Sequence, residues 1–177
     1  PRVVEDEIWD DHVFTKLPPN LKSLNLDHYR KFPTSAFQNL PSSLRYLHLS
    51  DSSHENIRDI LKVLPDSIEY MDIRVPLKLT KRVIGPNDFI SKLPNRLRKL
   101  SITGKLPFDP DFLFPDTLED IVGYNFDLPL CTRSPSGSIL QTFPSDMKRI
   151  QLHETSIPRG FIWPSGLKGL RLSNGLD

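Results

Sequence analysis

Cysteine and long apolar runs are scarce in this chain of 177 residues, and each shortage excludes a class of protein. The single cysteine, Cys131, allows no internal disulfide, and there is no N-x-S/T sequon, so we expect an intracellular protein. No apolar run reaches membrane-spanning length, and no secretory signal peptide opens the chain. The 23 basic and 22 acidic residues leave a formal net charge of +1, which favours neither nucleic acid nor an anionic membrane as partner.

Proline, in contrast, is abundant, and the prolines recur in one phrase. The 17 prolines are about twice the average usage, and many follow a leucine, phenylalanine or tryptophan. Seven copies of the phrase share this opening and then place aliphatic residues in the spacing L-x-x-L-x-L. The copies are LPPNLKSLNL from Leu17, LPSSLRYLHL from Leu40, LPDSIEYMDI from Leu64, LPNRLRKLSI from Leu93, FPDTLEDIVG from Phe114, FPSDMKRIQL from Phe143 and WPSGLKGLRL from Trp163.

The spacing of the copies predicts stacked strands. Successive copies begin 23, 24, 29, 21, 29 and 20 residues apart, a period typical of solenoids. Within x-L-x-L the aliphatic residues alternate with polar ones, which indicates a half-buried strand. Stacking in parallel would bury one continuous core, because a lone strand cannot cover its apolar side. The expected core pairs are Leu24/Leu26, Leu47/Leu49, Met71/Ile73, Leu100/Ile102, Ile150/Leu152 and Leu170/Leu172.

The segments between the strands have different predicted conformations. The proline fixes φ and keeps the preceding residue out of the helical region, so it should turn the chain into the next strand. Helical spacing in SHENIRDILKV (residues 53–63) predicts a short helix, and TSAFQN (residues 34–39) a single helical turn. Shorter segments such as KLPFDPDFL (residues 105–113) should run extended. A second buried column is expected behind the strands, formed by Phe37, Phe89, Phe112 and Phe161.

The phrase L-P-x-x-L-x-x-L-x-L resembles a leucine-rich repeat, and the resemblance covers the chain from Leu17 to Leu172. It is most similar to FNIP-type repeats, which place L-P-x-S-L before the strand and F-N-x-P-[IL] after it. NFDLPL (residues 125–130) matches the second half, with Asp127 in the Asn place. The Asn ladder of common leucine-rich repeats is missing. The resemblance implies a right-handed α/β solenoid of about seven repeats, with parallel strands on the concave face and short helices or extended arcs on the convex side.

The repeats divide the chain into two parts. Residues 1–16 stand outside the pattern and form an N-terminal cap or a linker, whereas residues 17–177 form the repeat domain. Because the chain starts without Met and stops just after a repeat, we expect a fragment of a longer protein. Further repeats, another domain or a partner would then cover the edge after Leu172.

The residues between the core aliphatics are the candidate binding surface. In a leucine-rich solenoid these positions point into the concave face, and they form three rows that run across the strands. Tyr46 and Tyr70 should be neighbours in one row, and tyrosine and arginine are enriched at the energetic centres of interfaces. Alternatively, the tyrosines only stabilise adjacent strands. The candidate partner-binding residues are Tyr46, His48, Tyr70, Asp72, Arg74, Lys99, Ser101, Tyr124, Arg149, Gln151 and Arg171.

Other functions are less well supported by the sequence. His48, Ser50 and Asp72 suggest a hydrolase triad, but Ser50 would lie about 6.5–7 Å along the strand from His48, beyond hydrogen-bond reach. No zinc-ligand spacing or phosphate-binding loop is present, so we predict no enzyme, cofactor or metal site. A rim of five basic and two acidic residues makes nucleic acid an unlikely partner. The rim residues are Lys22, Arg45, Glu69, Arg98, Glu119, Lys148 and Lys168.

Two functions from different classes follow. The first is recognition of another protein on the concave face. The resemblance implies that, in this role, the chain could be the substrate receptor of a ubiquitin-ligase or signalling protein. The second is an architectural subunit that binds through its convex face or its C-terminal edge.

Overall fold

The strands form one open, all-parallel sheet. The computed structural model describes residues 10–27, 32–50, 57–75, 90–106, 108–109, 112–125, 143–155, 157 and 161–173. Within these ranges seven strands lie side by side in the order of the sequence. They are β1 (Ser23–Asp27), β2 (Tyr46–Ser50), β3 (Tyr70–Arg74), β4 (Lys99–Thr103), β5 (Asp120–Tyr124), β6 (Arg149–His153) and β7 (Gly169–Ser173). The α/β class is thereby confirmed.

All seven strands are in register. The first residue of each strand is paired with the first residue of the next, so Ser23, Tyr46 and Tyr70 begin one row that continues to Gly169. The second and fourth residues of β2, β3, β4 and β6 are buried, because side chains alternate between the two faces of a strand. The predicted alignment of the seven copies is therefore confirmed.

A proline-initiated turn precedes every strand. In each copy the carbonyl of the proline accepts a hydrogen bond from the N–H of the aliphatic residue three positions later, at 2.9–3.3 Å. This bond closes a β-turn, and the two residues inside the turn are exposed or half-buried. In the second copy, for example, Leu44 N–H donates to Pro41 at 3.0 Å. The predicted role of the proline, to turn the chain into the strand, is confirmed.

One carbonyl per repeat joins each copy to the next. The carbonyl of Lys22 accepts the N–H groups of both Arg45 and Tyr46 at 2.9 Å, and the same double contact recurs at the five following junctions. At the carboxyl ends of β3 to β6, the N–H of the residue that follows the strand donates to the carbonyl of the last residue of the next strand. Gly104 N–H, for example, donates to the carbonyl of Tyr124 at 2.8 Å. These bonds satisfy backbone N–H groups at both ends of the strands.

The serine or threonine of L-P-x-[ST]-L forms a further bond between repeats. Ser43 Oγ donates to the carbonyl of Leu21 at 2.7 Å, and Thr117 Oγ1 donates to that of Leu97 at 2.8 Å. The equivalent hydroxyl of Ser67 is buried without a partner among the described residues. The matching acceptor, the carbonyl of Leu44, instead accepts from the guanidinium of Arg45 at 3.0 Å.

Short helical segments lie behind the sheet. An α-helix, α1, spans Ile57–Val63 and buries Ile57, Ile60 and Leu61. It confirms the described part of the helix predicted for residues 53–63; residues 53–56 lie outside the described residues. A 3₁₀ helix at Thr34–Asn39 confirms the predicted helical turn. Among the described residues, no helix is long and apolar enough to cross a membrane.

The predicted phenylalanine column is present in part. Phe37 and Phe112 are buried, and Phe161 is half-buried against the core. Phe89 lies outside the described residues. Additional rings extend the column, because Phe114 stacks on Phe143 with their centroids 4.7 Å apart.

Part of the N-terminal segment packs against the first repeat. A 3₁₀ helix at Val13–Lys16 carries the buried Phe14, whose ring contacts Phe37 at a centroid distance of 5.2 Å. Asp11 accepts hydrogen bonds from the side chains of Ser35, through its carboxylate, and Asn39, through its carbonyl. Residues 1–9 lie outside the described residues.

The prediction that the aliphatic residues of the last strand belong to the core is wrong. Leu170 and Leu172 were expected to be buried, but they are 47% and 46% exposed. The reason is that β7 has a neighbouring strand on one side only within the described part of the chain. The corresponding residues of β6, Ile150 and Leu152, are buried because β5 and β7 lie on both sides.

Replacing Gly104 with alanine should destabilise the protein by about 1–3 kcal/mol. Gly104 has φ +100°, and an added Cβ would lie 2.4 Å from the carbonyl oxygen of Val75. Glu154→Gly is the matched control, because Glu154 has φ +52° at the equivalent position after β6 and is exposed. Urea unfolding should give an unchanged or slightly higher stability for the control. Equal stability of Gly104→Ala and wild type would contradict the expectation.

Ser43→Ala and Ser67→Ala should differ in stability, although the two serines occupy the same place in the repeat. Loss of the Ser43 hydrogen bond should cost about 1 kcal/mol. Ser67→Ala should be neutral or slightly stabilising, because it removes a buried hydroxyl that has no partner among the described residues. Thermal and urea unfolding of both variants measure the difference, and an equal loss in the two would contradict it.

Candidate functional site

One face of the sheet carries the candidate site. We call it the polar face; it consists of the first, third and fifth residues of the seven strands. Most of these side chains are exposed or half-buried, whereas the second and fourth residues of β2, β3, β4 and β6 are buried on the opposite side. The pairing register places all eleven predicted binding residues on this face.

A depression of about 380 Å³ lies on the polar face and extends from β2 to β6. Seven of the predicted residues line it: Tyr46, Tyr70, Asp72, Lys99, Ser101, Arg149 and Gln151. The other four, His48, Arg74, Tyr124 and Arg171, are on the polar face but do not line the depression. Asp120 and Val122 also line it, although neither is among the eleven predicted residues. Their positions in the aligned strands would have been sufficient to find them.

Asp120 organises the charges in the first row of the polar face. Its carboxylate accepts two hydrogen bonds from Arg149, at 2.9 and 2.7 Å from Nε and an Nη, and lies 3.7 Å from the ammonium of Lys99. The Asp120 side chain is only 13% exposed, whereas that of Arg149 is 59% exposed. Hydrogen bonding to Asp120 raises the pKa of the Arg149 guanidinium. The pair therefore holds one cation in a defined position at the surface.

The row continues into an aromatic pair. The ammonium of Lys99 lies 5.4 Å from the centroid of the Tyr70 ring, within the range of a cation–π contact. Tyr46 is paired with Tyr70 in the strand register and is 40% exposed. The predicted juxtaposition of the two tyrosines is therefore present, and they line the depression beside the charged groups.

His48 lies between two carboxylates. Its Nδ1 shares a hydrogen bond with Asp72 Oδ2 at 2.9 Å, and its Nε2 is 3.7 Å from Asp27 Oδ1. His48 is 8% exposed, and Arg74 donates to the same Asp72 oxygen at 3.2 Å. In this arrangement both ring nitrogens face carboxylates, so neither is placed as a base for Ser50.

The other oxygen of Asp72 stands apart from this cluster. Asp72 Oδ1 is buried and has no hydrogen-bond partner among the described residues. A buried acceptor without a hydrogen bond lowers the stability of a folded protein by about 1–3 kcal/mol. Asp72 also lines the depression.

At the carboxyl ends of the strands, a second aromatic pair lies outside the depression. The Tyr124 and His153 rings stack with their centroids 4.5 Å apart and their planes 9° apart. His153 Nδ1 shares a hydrogen bond with Ser173 Oγ on the next strand. These contacts join β5, β6 and β7, and they leave Tyr124 44% exposed.

The acids of the rim are paired with its bases. Glu69 lies 3.3 Å from Arg45, and Glu119 accepts hydrogen bonds from Arg98 and Lys148, each at 2.8 Å. These two cations, Lys148 first, hold the pKa of Glu119 below its ordinary value. The two acids therefore offset two of the five positive charges of the rim.

Comparison with known proteins identifies no relative. No protein-family model matches the chain, and neither curated proteins nor solved structures give a match. Among the described residues, no group of three or more His, Cys, Asp or Glu side chains is arranged to hold a metal ion.

The Glu119 pairs should make a small, pH-dependent contribution to stability. Glu119→Gln should lower the free energy of unfolding by less than about 1 kcal/mol near neutral pH, because both partner cations are half exposed. The pKa of Glu119 is below 4.5 in the folded chain, so the unfolded chain takes up the proton first as the pH falls. The contribution of Glu119 to the free energy of unfolding is therefore complete well above pH 4.5, and it disappears as the pH falls through the folded-state pKa.

Urea unfolding of wild type and Glu119→Gln over a pH series tests this expectation. The difference between them should shrink as the pH falls below about 4.5. A difference that stays constant through the acid range would contradict it.

Proposed function

We propose that the chain is a leucine-rich-repeat solenoid of the FNIP type that binds another protein on its polar face. The solenoid assignment is supported by seven in-register parallel strands in sequence order, each preceded by the same turn. In such a solenoid the polar face is the concave one. The observation that carries the function is the depression, where exposed tyrosine lies beside fixed charges.

The chemistry of the depression favours a protein partner. Tyrosine and arginine supply contact area and directed hydrogen bonds, and both are enriched where binding energy is concentrated. Arg149 is held by Asp120 before any partner arrives, so binding loses less side-chain entropy. The proposal does not include the hydrolase triad, because His48 faces carboxylates on both sides.

A more specific role follows from the resemblance. FNIP-like and other leucine-rich repeats often accompany ubiquitin-ligase or signalling domains, for which they select the target. In this proposal the polar face is the substrate receptor of such a protein.

The exposed end of the sheet favours a second candidate, an architectural subunit. Leu170 and Leu172 are about half exposed on β7, and Ile162 nearby is 44% exposed. A subunit of a larger assembly would cover these side chains with a neighbouring chain.

Removing the aromatic pair tests the first proposal. Affinity purification from native cell extract, read by mass spectrometry, should recover a partner with wild type and lose it with Tyr46→Ala/Tyr70→Ala. The expected weakening is at least tenfold in affinity, equivalent to about 1.4 kcal/mol, as measured with the purified partner. Leu113→Ala is the control, because Leu113 is 59% exposed and lies outside the strands. Circular dichroism establishes that all variants fold alike.

A third variant separates the two candidate functions. If the partner binds the tyrosine variant fully but is lost with Leu170→Lys/Leu172→Lys, the architectural role is supported and recognition on the polar face is rejected. Equal recovery by both variants would reject both surfaces.

A further inference from the structure

We propose that the segment bound by the polar face is acidic, and that Arg149 and Arg171 hold its carboxylates over Gly169. This inference rests on the proposed function, because it names the chemistry of the partner at the same face.

The polar face is electropositive over β4–β7. Three cationic side chains, Lys99, Arg149 and Arg171, stand against one acid, Asp120, so two positive charges are left in excess. Over β1–β3 the balance is reversed, because the polar face there carries two acids, Asp27 and Asp72, and one cation, Arg74. A partner with complementary charge therefore places its acids over the second half of the sheet.

Arginine donors in this half remain available for a ligand. Arg149 binds Asp120 through Nε and one Nη, so its other Nη is unused by that pair, and its side chain is 59% exposed. Arg171 is exposed and has no hydrogen bond or ion pair with the described residues. Guanidinium groups bind carboxylates through charge-assisted hydrogen bonds, which are the strong kind.

Gly169 leaves space between the two arginines. It is paired with Arg149 across the strands, and Arg171 lies two residues farther along the same strand and face. Residues two apart on a strand are about 6.5–7 Å apart. A Cβ at Gly169 would be 3.3 Å from Cγ of Arg149, so any side chain would crowd that arginine. Without one, the space above Gly169 is open, and in this proposal a carboxylate there binds Arg171 and the Nη of Arg149 that Asp120 does not use.

An acidic polypeptide fits this surface better than a nucleic acid. Asp120 and Glu119 interrupt the cations, whereas a nucleic-acid backbone is bound by a continuous series of them. Beside the cations the depression offers Val122, Tyr46 and Tyr70, which can receive an apolar side chain. The occupant is therefore a protein segment that combines acidic with apolar or aromatic residues.

Selection of short random peptides displayed on phage, against the purified chain, tests the proposal. The selected peptides should be rich in Asp and Glu. Their affinity, measured by fluorescence anisotropy, should fall by about tenfold or more with Arg171→Glu and should weaken with added salt. The control is Arg96→Glu, an equal change of charge at an exposed turn residue away from the polar face. Arg149→Gln is a second variant, and thermal unfolding establishes that each protein is folded.

The outcomes distinguish this inference from the proposed function. Neutral or basic peptides that need Tyr46 and Tyr70 but not Arg171 would leave the polar face as the binding site and overturn its preference for acids. Peptides that bind all variants equally would overturn both proposals. Failure to select any acidic peptide would overturn the inference. So would binding of a poly-uridine oligonucleotide that requires Arg171 and exceeds every peptide in affinity.

Discussion

The rest of the structure depends on one interaction at each repeat junction, a backbone carbonyl that accepts two N–H hydrogen bonds. It binds the last residue before the next strand and the first residue of that strand, immediately after the proline-initiated turn. Each strand therefore begins at the same height as its neighbour. A shift of one residue would exchange the buried and exposed faces, so this contact also determines which side chains form the core.

The same register brings the charges of the polar face together. Strands in a sheet lie about 4.8 Å apart, so side chains from one row contact each other although 20 to 29 residues separate them in the chain. Asp120 can bind Arg149 for this reason, and His48 can lie between Asp27 and Asp72. If the proposed partner binds this surface, little further ordering of these side chains is needed, because such contacts already hold them in place.

Much of the fold could be predicted because its causes are local and repeated. Alternation of aliphatic and polar residues specifies a strand, and proline specifies where it starts. The exposed Leu170 shows the limit of this reasoning: it has the same pattern as Ile150, but Ile150 lies between two strands, whereas β7 has a neighbouring strand on one side only among the described residues. Ser67 shows the same limit, because its hydroxyl loses its acceptor to Arg45, a residue of the preceding repeat.

The sequence by itself determined the number of strands, their parallel alignment and the set of residues on the polar face. These follow from a periodic pattern and from backbone hydrogen bonds, which every residue type except proline can both donate and accept. Only the tertiary structure decided which of those residues enclose the depression, which charges are paired, and which oxygen of Asp72 lacks a donor. Those features depend on the length and direction of side chains from neighbouring repeats, and a pattern of residue types does not contain that geometry.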